Sequence, residues 1–249
     1  MTTNKKIYFA SDQHFGAPTV ELSKIREQKF INWLDTIKNS AEVIFLLGDL
    51  FDFWFEYKKV VPKGFVRVLG KLAELRDSGI QIHFFVGNHD LWMRDYFENE
   101  LNIPVYRKPK EFSFNNKTFL IGHGDGLGPG DKGYKRMKKV FTNPIAKWVF
   151  RWLHPDIGIR LAQYISLKNK LISGEEDVKY LGEDNEWLVQ YCKKKLTEKQ
   201  YDYFVFGHRH LPLEIPITEN SMYINTGDWI THFTYGEFDK EQLVLKYYN

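Results

Sequence analysis

Val43-Ile44-Phe45-Leu46-Leu47-Gly48-Asp49 is the stretch whose reading decides the fold. An apolar, strand-like run stops abruptly at a glycine and a carboxylate, which puts a metal-binding or catalytic residue type on a loop at one edge of a sheet. Open α/β sheets bind their ligands at that edge. The pattern recurs at four other places: Ile7 to Ala10 before Asp12-Gln13-His14, Ile82 to Val86 before Gly87-Asn88-His89-Asp90, Thr118 to Ile121 before Gly122-His123-Gly124-Asp125, and Tyr203 to Phe206 before Gly207-His208-Arg209-His210. Each alone reads as a turn or a helix cap, since Asn, Asp and Gly are ordinary turn residues. Turn chemistry does not require that five separate strands end in the same few residue types.

Carboxylate, amide carbonyl and neutral imidazole together suit Mn, Fe or Zn, whereas an all-oxygen set suits Mg or Ca. The chain has one cysteine, Cys192, which excludes a thiolate site. Seven candidate ligands (Asp12, His14, Asp49, Asn88, His123, His208 and His210) are too many for one tetrahedral ion. Two divalent ions sharing a carboxylate are the economical arrangement, and a pair about 4 Å apart is the usual device for phosphate ester hydrolysis.

The order Asp-x-His, Gly-Asp, Gly-Asn-His-Asp, Gly-His and Gly-His-x-His resembles the calcineurin-like metallophosphoesterases from Asp12 to His210. That resemblance implies an α/β fold of two packed sheets flanked by helices. It also implies one ion held by Asp12, His14, Asp49 and His210, and a second held by Asp49, Asn88, His123 and His208, with Asp49 as the bridge. Manganese is the first expectation for both. A narrower resemblance lies in Gly48-Asp49-Leu50-Phe51-Asp52-Phe53-Trp54, His123-Gly124-Asp125 with Asp131-Lys132-Gly133-Tyr134, and Gly227-Asp228-Trp229, which look like the UDP-2,3-diacylglucosamine diphosphatases of lipid A synthesis. That family splits the pyrophosphate of an acylated UDP-sugar into UMP and acylated sugar 1-phosphate. It carries arginine where this chain has His89.

The length of 249 residues, 43% hydrophobic, is that of a single domain with one sizeable core. No run approaches the roughly 20 apolar residues of a membrane span, and Met1 to Lys6 lead into the first strand with no signal-peptide pattern. The expectation is a cytoplasmic protein, with peripheral contact to the inner membrane as an open partner. The formal charge of +3 divides unevenly: Lys132 to Lys170 holds ten Lys or Arg against Asp156 alone, a local +9 that leaves −6 elsewhere. The same segment carries Phe141, Trp148, Phe150 and Trp152, so residues 131–175 read as a basic, aromatic helical insert. It reads as a lid over the metals, with apolar faces for acyl chains and cations for phosphate or anionic headgroups. No nucleic-acid partner is expected.

Helical spacing of Leu22, Ile25, Phe30, Trp33, Leu34 and Ile37 predicts a core-facing helix after Pro18, and Phe65 to Arg76 a second closed by Gly79. Further helices are predicted over Leu91 to Glu100 and Glu183 to Leu196, with the insert's helices broken near Pro144 and Pro155. Glu111 to Ile121 reads as a hairpin around Asn115-Asn116, and the chain beyond Leu211 as β-rich. Repeated strand-loop-helix units imply a parallel sheet.

Asp49, Asn88 and His89 are the catalytic candidates, His89 as phosphoryl-oxygen donor or acid, oriented by Asp52 or Asp90. The competing reading has His89 only bracing the loop that presents Asn88. Asp125 reads as fixing a ligand rather than being one. The narrower resemblance implies substrate contacts from Asn88, His89, Asp131 and Tyr134, with Ser166, Asn169 and Lys170 as further candidates. Rival functions are another metal-dependent phosphodiesterase or phosphatase, and a binding scaffold without catalysis, for which seven ligands would serve no purpose.

Overall fold

A computed structural model describes residues 5–129, 132–162, 164, 180, 182 and 185–249. The strands are β1 Lys6–Ala10, β2 Ala41–Leu46, β3 Gln81–Phe85, β4 Val105–Tyr106, β5 Lys110–Phe114, β6 Lys117–Ile121, β7 Tyr203–Phe206, β8 Pro212–Thr218, β9 Ser221–Thr226, β10 Thr234–Phe238 and β11 Leu243–Tyr247. The helices are α1 Val20–Ile37, α2 Val66–Asp77, α3 Tyr96–Leu101, α4 Lys132–Thr142, α5 Pro144–Arg151, α6 over 155–162 and α7 Trp187–Leu196.

The strands form two sheets, ordered β11-β10-β1-β2-β3-β4 and β5-β6-β7-β9-β8. β1 to β4 run parallel, as do β6, β7 and β9, with β10, β11, β5 and β8 antiparallel to their neighbours. Side-chain alternation sorts the apolar residues into layers. Ile7, Phe9, Val43, Phe45 and Phe85 point between the sheets to meet Phe119, Ile121, Val205 and Ile224. Tyr8, Ala10, Ile44, Leu46 and Phe84 point the other way, onto Phe30, Trp33 and Leu34 of α1 and Leu72 and Leu75 of α2. On the far side Leu120, Phe204, Phe206 and Tyr223 pack against Leu188, Val189 and Cys192 of α7. The result is the expected α/β fold, with two packed sheets flanked by helices.

Several elements start where tertiary contacts place them. Thr19, not Pro18, caps α1, its Oγ1 accepting the Leu22 amide at 3.3 Å. The helix expected over Leu91 to Glu100 begins only at Tyr96, because Glu56 Oε2 from a distant loop accepts the amides of Asp95 (2.8 Å) and Tyr96 (3.1 Å). The helix expected over Glu183 to Leu196 starts at Trp187, after Glu186 in extended backbone, and positions 183 and 184 lie outside the described residues. Asn115 and Asn116 make the β5–β6 turn with φ of 47° and 62°, a left-handed pair that asparagine tolerates. Pro144 opens α5 and residue 155 opens α6, as the insert's sequence predicts.

No helix among the described residues is long and apolar enough to cross a membrane. The insert attaches by Phe150, whose ring lies 4.5 Å from Trp92 and 4.7 Å from Phe55, and by Trp92 Nε1 donating to the Phe141 carbonyl at 2.5 Å. Trp148 and Trp152 stay 58% and 76% exposed beside Val140, Ile145, Val149 and Ile157. The insert's aromatics therefore divide, Phe141 and Phe150 anchoring inward and the two tryptophans outward.

Candidate metal centre

All five strand-ending motifs meet at one edge, and their loops are bonded to one another. The loops after β1 and β2 zip together: Asp12 N donates to Gly48 O (3.1 Å), His14 N to Asp49 O (2.9 Å) and Phe15 N to Leu50 O (2.9 Å). Those after β6 and β7 join through Gly207 N to His123 O at 2.9 Å. His208 N donates to Asp12 Oδ2 at 2.9 Å and His89 N to Asp49 Oδ1 at 2.8 Å, which ties the sheets' edges into one unit. Two glycines permit this approach. A Cβ at Gly87 would lie 2.2 Å from Asp49 Oδ1, and one at Gly207 2.6 Å from Asp12 Oδ2.

Asp12, His14, Asp49, His208 and His210 all have left-handed backbone, with φ between 46° and 71°. Non-glycine residues pay roughly 1–3 kcal/mol for such conformations, which persist where surrounding structure enforces them and cluster at functional sites. Here the outliers coincide with five of the seven candidate ligands.

Ligating atoms of Asp12, His14 and His210 lie within 4.8 Å of one another, and so do those of Asp49, His123 and His208, and of His14, Asp49 and His89. Asp49 Oδ2 stands 3.6 Å from His14 Nε2 and 3.4 Å from His123 Nε2, between the two groups. Asn88 Oδ1 is 3.1 Å from His123 Nε2. The imidazoles are held from behind. His123 Nδ1 donates to the Leu47 carbonyl (2.8 Å), His210 Nδ1 faces Asp228 Oδ2 (3.4 Å), and His14 Nδ1 faces Asp52 Oδ1 (3.4 Å).

This donor set fits divalent cations. A carbonyl only accepts, so His123 carries its hydrogen on Nδ1, and neutral Nε2 is a lone pair aimed at two more acceptors, Asn88 Oδ1 and Asp49 Oδ2. Only a positive charge reconciles three acceptors. Buried Asp12 Oδ1 likewise has no hydrogen-bond partner, with His210 Nε2 3.5 Å away. In the ion's place a proton serves: burial opposes charge on His123, yet Asp49 beside it lifts that imidazole to about 10, so that Nε2 then carries the positive charge this spot calls for. Burial would raise Asp49 and Asp12, but neighbouring histidines, His123 and His210 first, hold both below the usual carboxylate range. Burial and the charge on His123 push His208 down to about 4.

The family model for calcineurin-like phosphoesterases matches residues 5–212, all five motifs included. The chain belongs to the calcineurin-like phosphoesterases. A UDP-2,3-diacylglucosamine hydrolase of Porphyromonas gingivalis is 37% identical over 254 residues, covering 97% of either chain. One of the same name from Pseudomonas aeruginosa is 24% identical over 227 residues and 90% of either chain. Among solved structures, the Escherichia coli phosphoesterase Yfce aligns over 98% of this chain and 100% of its own, at 16% identity and a TM-score of 0.47.

In this phosphoesterase the seven expected ligands converge, and His89 joins them, its ring 4.6 Å from that of His14. Of the two expected partners for His89, Asp52 is the one in contact: its carbonyl accepts from Nδ1 at 2.9 Å and its carboxylate stands 3.6 Å away. Asp90 instead accepts the backbone amides of Gly87 (2.6 Å) and Leu50 (3.1 Å), while burial and Asp49 push its carboxyl well above the usual range. Asp125 is buried and bonds Tyr134 Oη and Lys138 Nζ, so it clamps α4 of the insert over the His123 loop. Tyr134 lies with its ring 6.3 Å from His208. Asp131, Ser166, Asn169 and Lys170 lie outside the described residues.

Three supporting residues carry no role in the sequence reading. Arg209 reaches back to Glu186 at the head of α7 with two contacts of 3.1 Å, fixing the loop that presents His208 and His210. Arg26 Nη2 donates to the His14 carbonyl at 2.6 Å and bonds that of Ala17, holding the turn after His14. Asp228 backs His210. Only the Gly227-Asp228-Trp229 triplet signalled that last residue in sequence.

Proposed function

We propose that the chain is a UDP-2,3-diacylglucosamine hydrolase that splits the pyrophosphate to UMP and 2,3-diacylglucosamine 1-phosphate in lipid A synthesis. The observation that carries this reading is the convergence of seven candidate metal ligands beside an insert that Asp125 ties to the His123 loop and whose basic helices expose Trp148, Trp152 and neighbouring aliphatics. A charged diphosphate at the cluster and acyl chains on the insert match those two surfaces. The name borne by the 37% identical relative supports the substrate.

Asp12, His14, Asp49 and His210 would hold one divalent ion, and Asp49, Asn88, His123 and His208 the other, with Asp49 Oδ2 between them. The mixed oxygen and imidazole set suits Mn²⁺ first, with Fe or Zn as substitutes. Such ions activate and orient a water and take up charge that develops on phosphoryl oxygens. The residues supply the rest. His89, with Nδ1 donating to Asp52 O, would present Nε2 to the phosphoryl group or to the departing sugar phosphate. Asn88 and Tyr134 would steady the phosphate and sugar, together with Asp131, Ser166, Asn169 and Lys170. Residues 1–249 would act as one domain, with 131–175 as its lid. The protein would work on the cytoplasmic face of the inner membrane, touching it peripherally through the insert.

Water attacks the α-phosphorus in this scheme, the bond from that phosphorus to the bridging oxygen breaks, and the sugar 1-phosphate leaves with that oxygen. Hydrolysis in ¹⁸O-water with Mn²⁺ should therefore put label in UMP and none in the sugar phosphate. Label in the sugar phosphate would contradict attack at α, and no cleavage of this substrate beside turnover of simple phosphodiesters would favour the general phosphodiesterase.

A further inference from the structure

We propose that Asp228 is the positioning residue of His210, fixing the imidazole with hydrogen on Nδ1 and thereby giving Nε2 its metal-binding lone pair. Asp228 lies beyond the family match, which ends at residue 212. Its carboxylate is divided between two tasks. Oδ1 accepts three backbone amides, from Ile230 (3.1 Å), Thr231 (2.8 Å) and His232 (2.9 Å), with His232 Nδ1 3.4 Å away. Oδ2 is left for His210 Nδ1 at 3.4 Å, a long contact of the kind that tightens when a site is filled.

The segment around it leaves little freedom. Gly227 has φ of +70°, and a Cβ there would stand 2.1 Å from Thr234 Oγ1. Trp229 N donates to Asp12 O at 3.2 Å and Thr234 N to Asp228 O at 3.2 Å, so this loop is bonded to the same backbone that carries the candidate ligand Asp12. Three amides oriented on Oδ1 prevent the carboxylate from turning away without losing all three. The opposite ring nitrogen of His210 lies 3.5 Å from Asp12 Oδ1, a buried oxygen that also faces His14 Nε2 at 3.8 Å. A carboxylate behind a ligating histidine sets tautomer and ring orientation, and removing such a partner typically costs 10–100-fold in metal affinity.

The inference rests on the reading that His210 is a ligand, and the test keeps the two apart. In Asp228→Asn the amide oxygen can still accept the three backbone N–H groups, but the amide nitrogen then faces His210 Nδ1, donor against donor. The ring should move its hydrogen to Nε2. We expect ¹⁵N–¹H correlation of the metal-free protein, at a pH where His210 is neutral, to show Nδ1–H in the native chain and Nε2–H in Asp228→Asn. Mn²⁺ affinity, measured by chelator competition, should fall about 10–100-fold in the folded variant. A purely structural role would shift stability and leave the tautomer alone. An unchanged tautomer, or native Mn²⁺ affinity in Asp228→Asn, overturns the proposal. Should the variant fail to fold, the native spectrum decides, since Nε2–H there refutes it. Two ions retained at native affinity in His210→Ala would instead refute the ligand reading.

Discussion

Asp49 has the most demanding position of any side chain in the site: one oxygen accepts the His89 amide and the other stands between His14 and His123. Asp49→Asn keeps the shape and removes the charge that both cation groups share. Both ions should be lost, with activity falling in step; two ions per folded chain at near-normal turnover would contradict the bridging assignment. His89 separates differently, since its Nδ1 is committed to Asp52 and its backbone amide to Asp49. His89→Ala should lower kcat by roughly 10²-fold or more with metal content retained. Loss of metal without a separate kinetic defect would assign it to bracing. All seven candidate ligands were legible in sequence because each ends a strand, and local chain direction suffices to place them at one edge. Asp228, Arg209 and the choice of Asp52 over Asp90 were not legible, because each acts through a partner distant in sequence whose approach only the packed loops define.

At the scale of elements, the layers followed from apolar runs and helical periodicity, whereas strand order did not. β10 returns from the C-terminal segment to pair with β1, and β4 is two residues long, too short to register as a run. The start of α3 has a related cause: Glu56 caps it from 39 positions away, which no local pattern encodes. β3 offers a test of how the sheets pack. His83 stacks on Phe45 at 4.9 Å, and burial, reinforced by Lys110 and Arg76, lowers its pKa from 6.5 to about 4. The unfolded chain therefore takes up this proton first, so the contribution is fully present above pH 6.5 and is lost as pH falls toward about 4. Denaturant unfolding at pH 7 and pH 5 should show a larger loss of stability in the native chain than in His83→Phe. Equal losses would mean that His83 is not held neutral.

The whole molecule sets a buried polar cluster against an insert that is basic and outwardly apolar. Each Lys or Arg near an anionic bilayer contributes about 1 kcal/mol, a term that fades with salt, whereas burial of Trp148 and Trp152 does not depend on charge. Binding to vesicles containing anionic lipid should weaken with added salt and weaken again in the Trp148→Ala, Trp152→Ala double variant. Binding indifferent to both changes would remove the insert from the membrane contact. The step in charge over residues 132–170 marks the stretch that holds α4, α5 and α6, although which aromatics anchor and which stay exposed required the packing of Phe150 on Trp92 and Phe55. The central claim is that one site couples diphosphate cleavage to recognition of acyl chains, each buried methylene contributing about 0.8 kcal/mol. Its most direct test is kcat/KM of the Mn²⁺-loaded protein on UDP-2,3-diacylglucosamine against unacylated UDP-glucosamine. The account predicts a strong preference for the acylated substrate that declines as the chains are shortened, and equal efficiency on the two would contradict it.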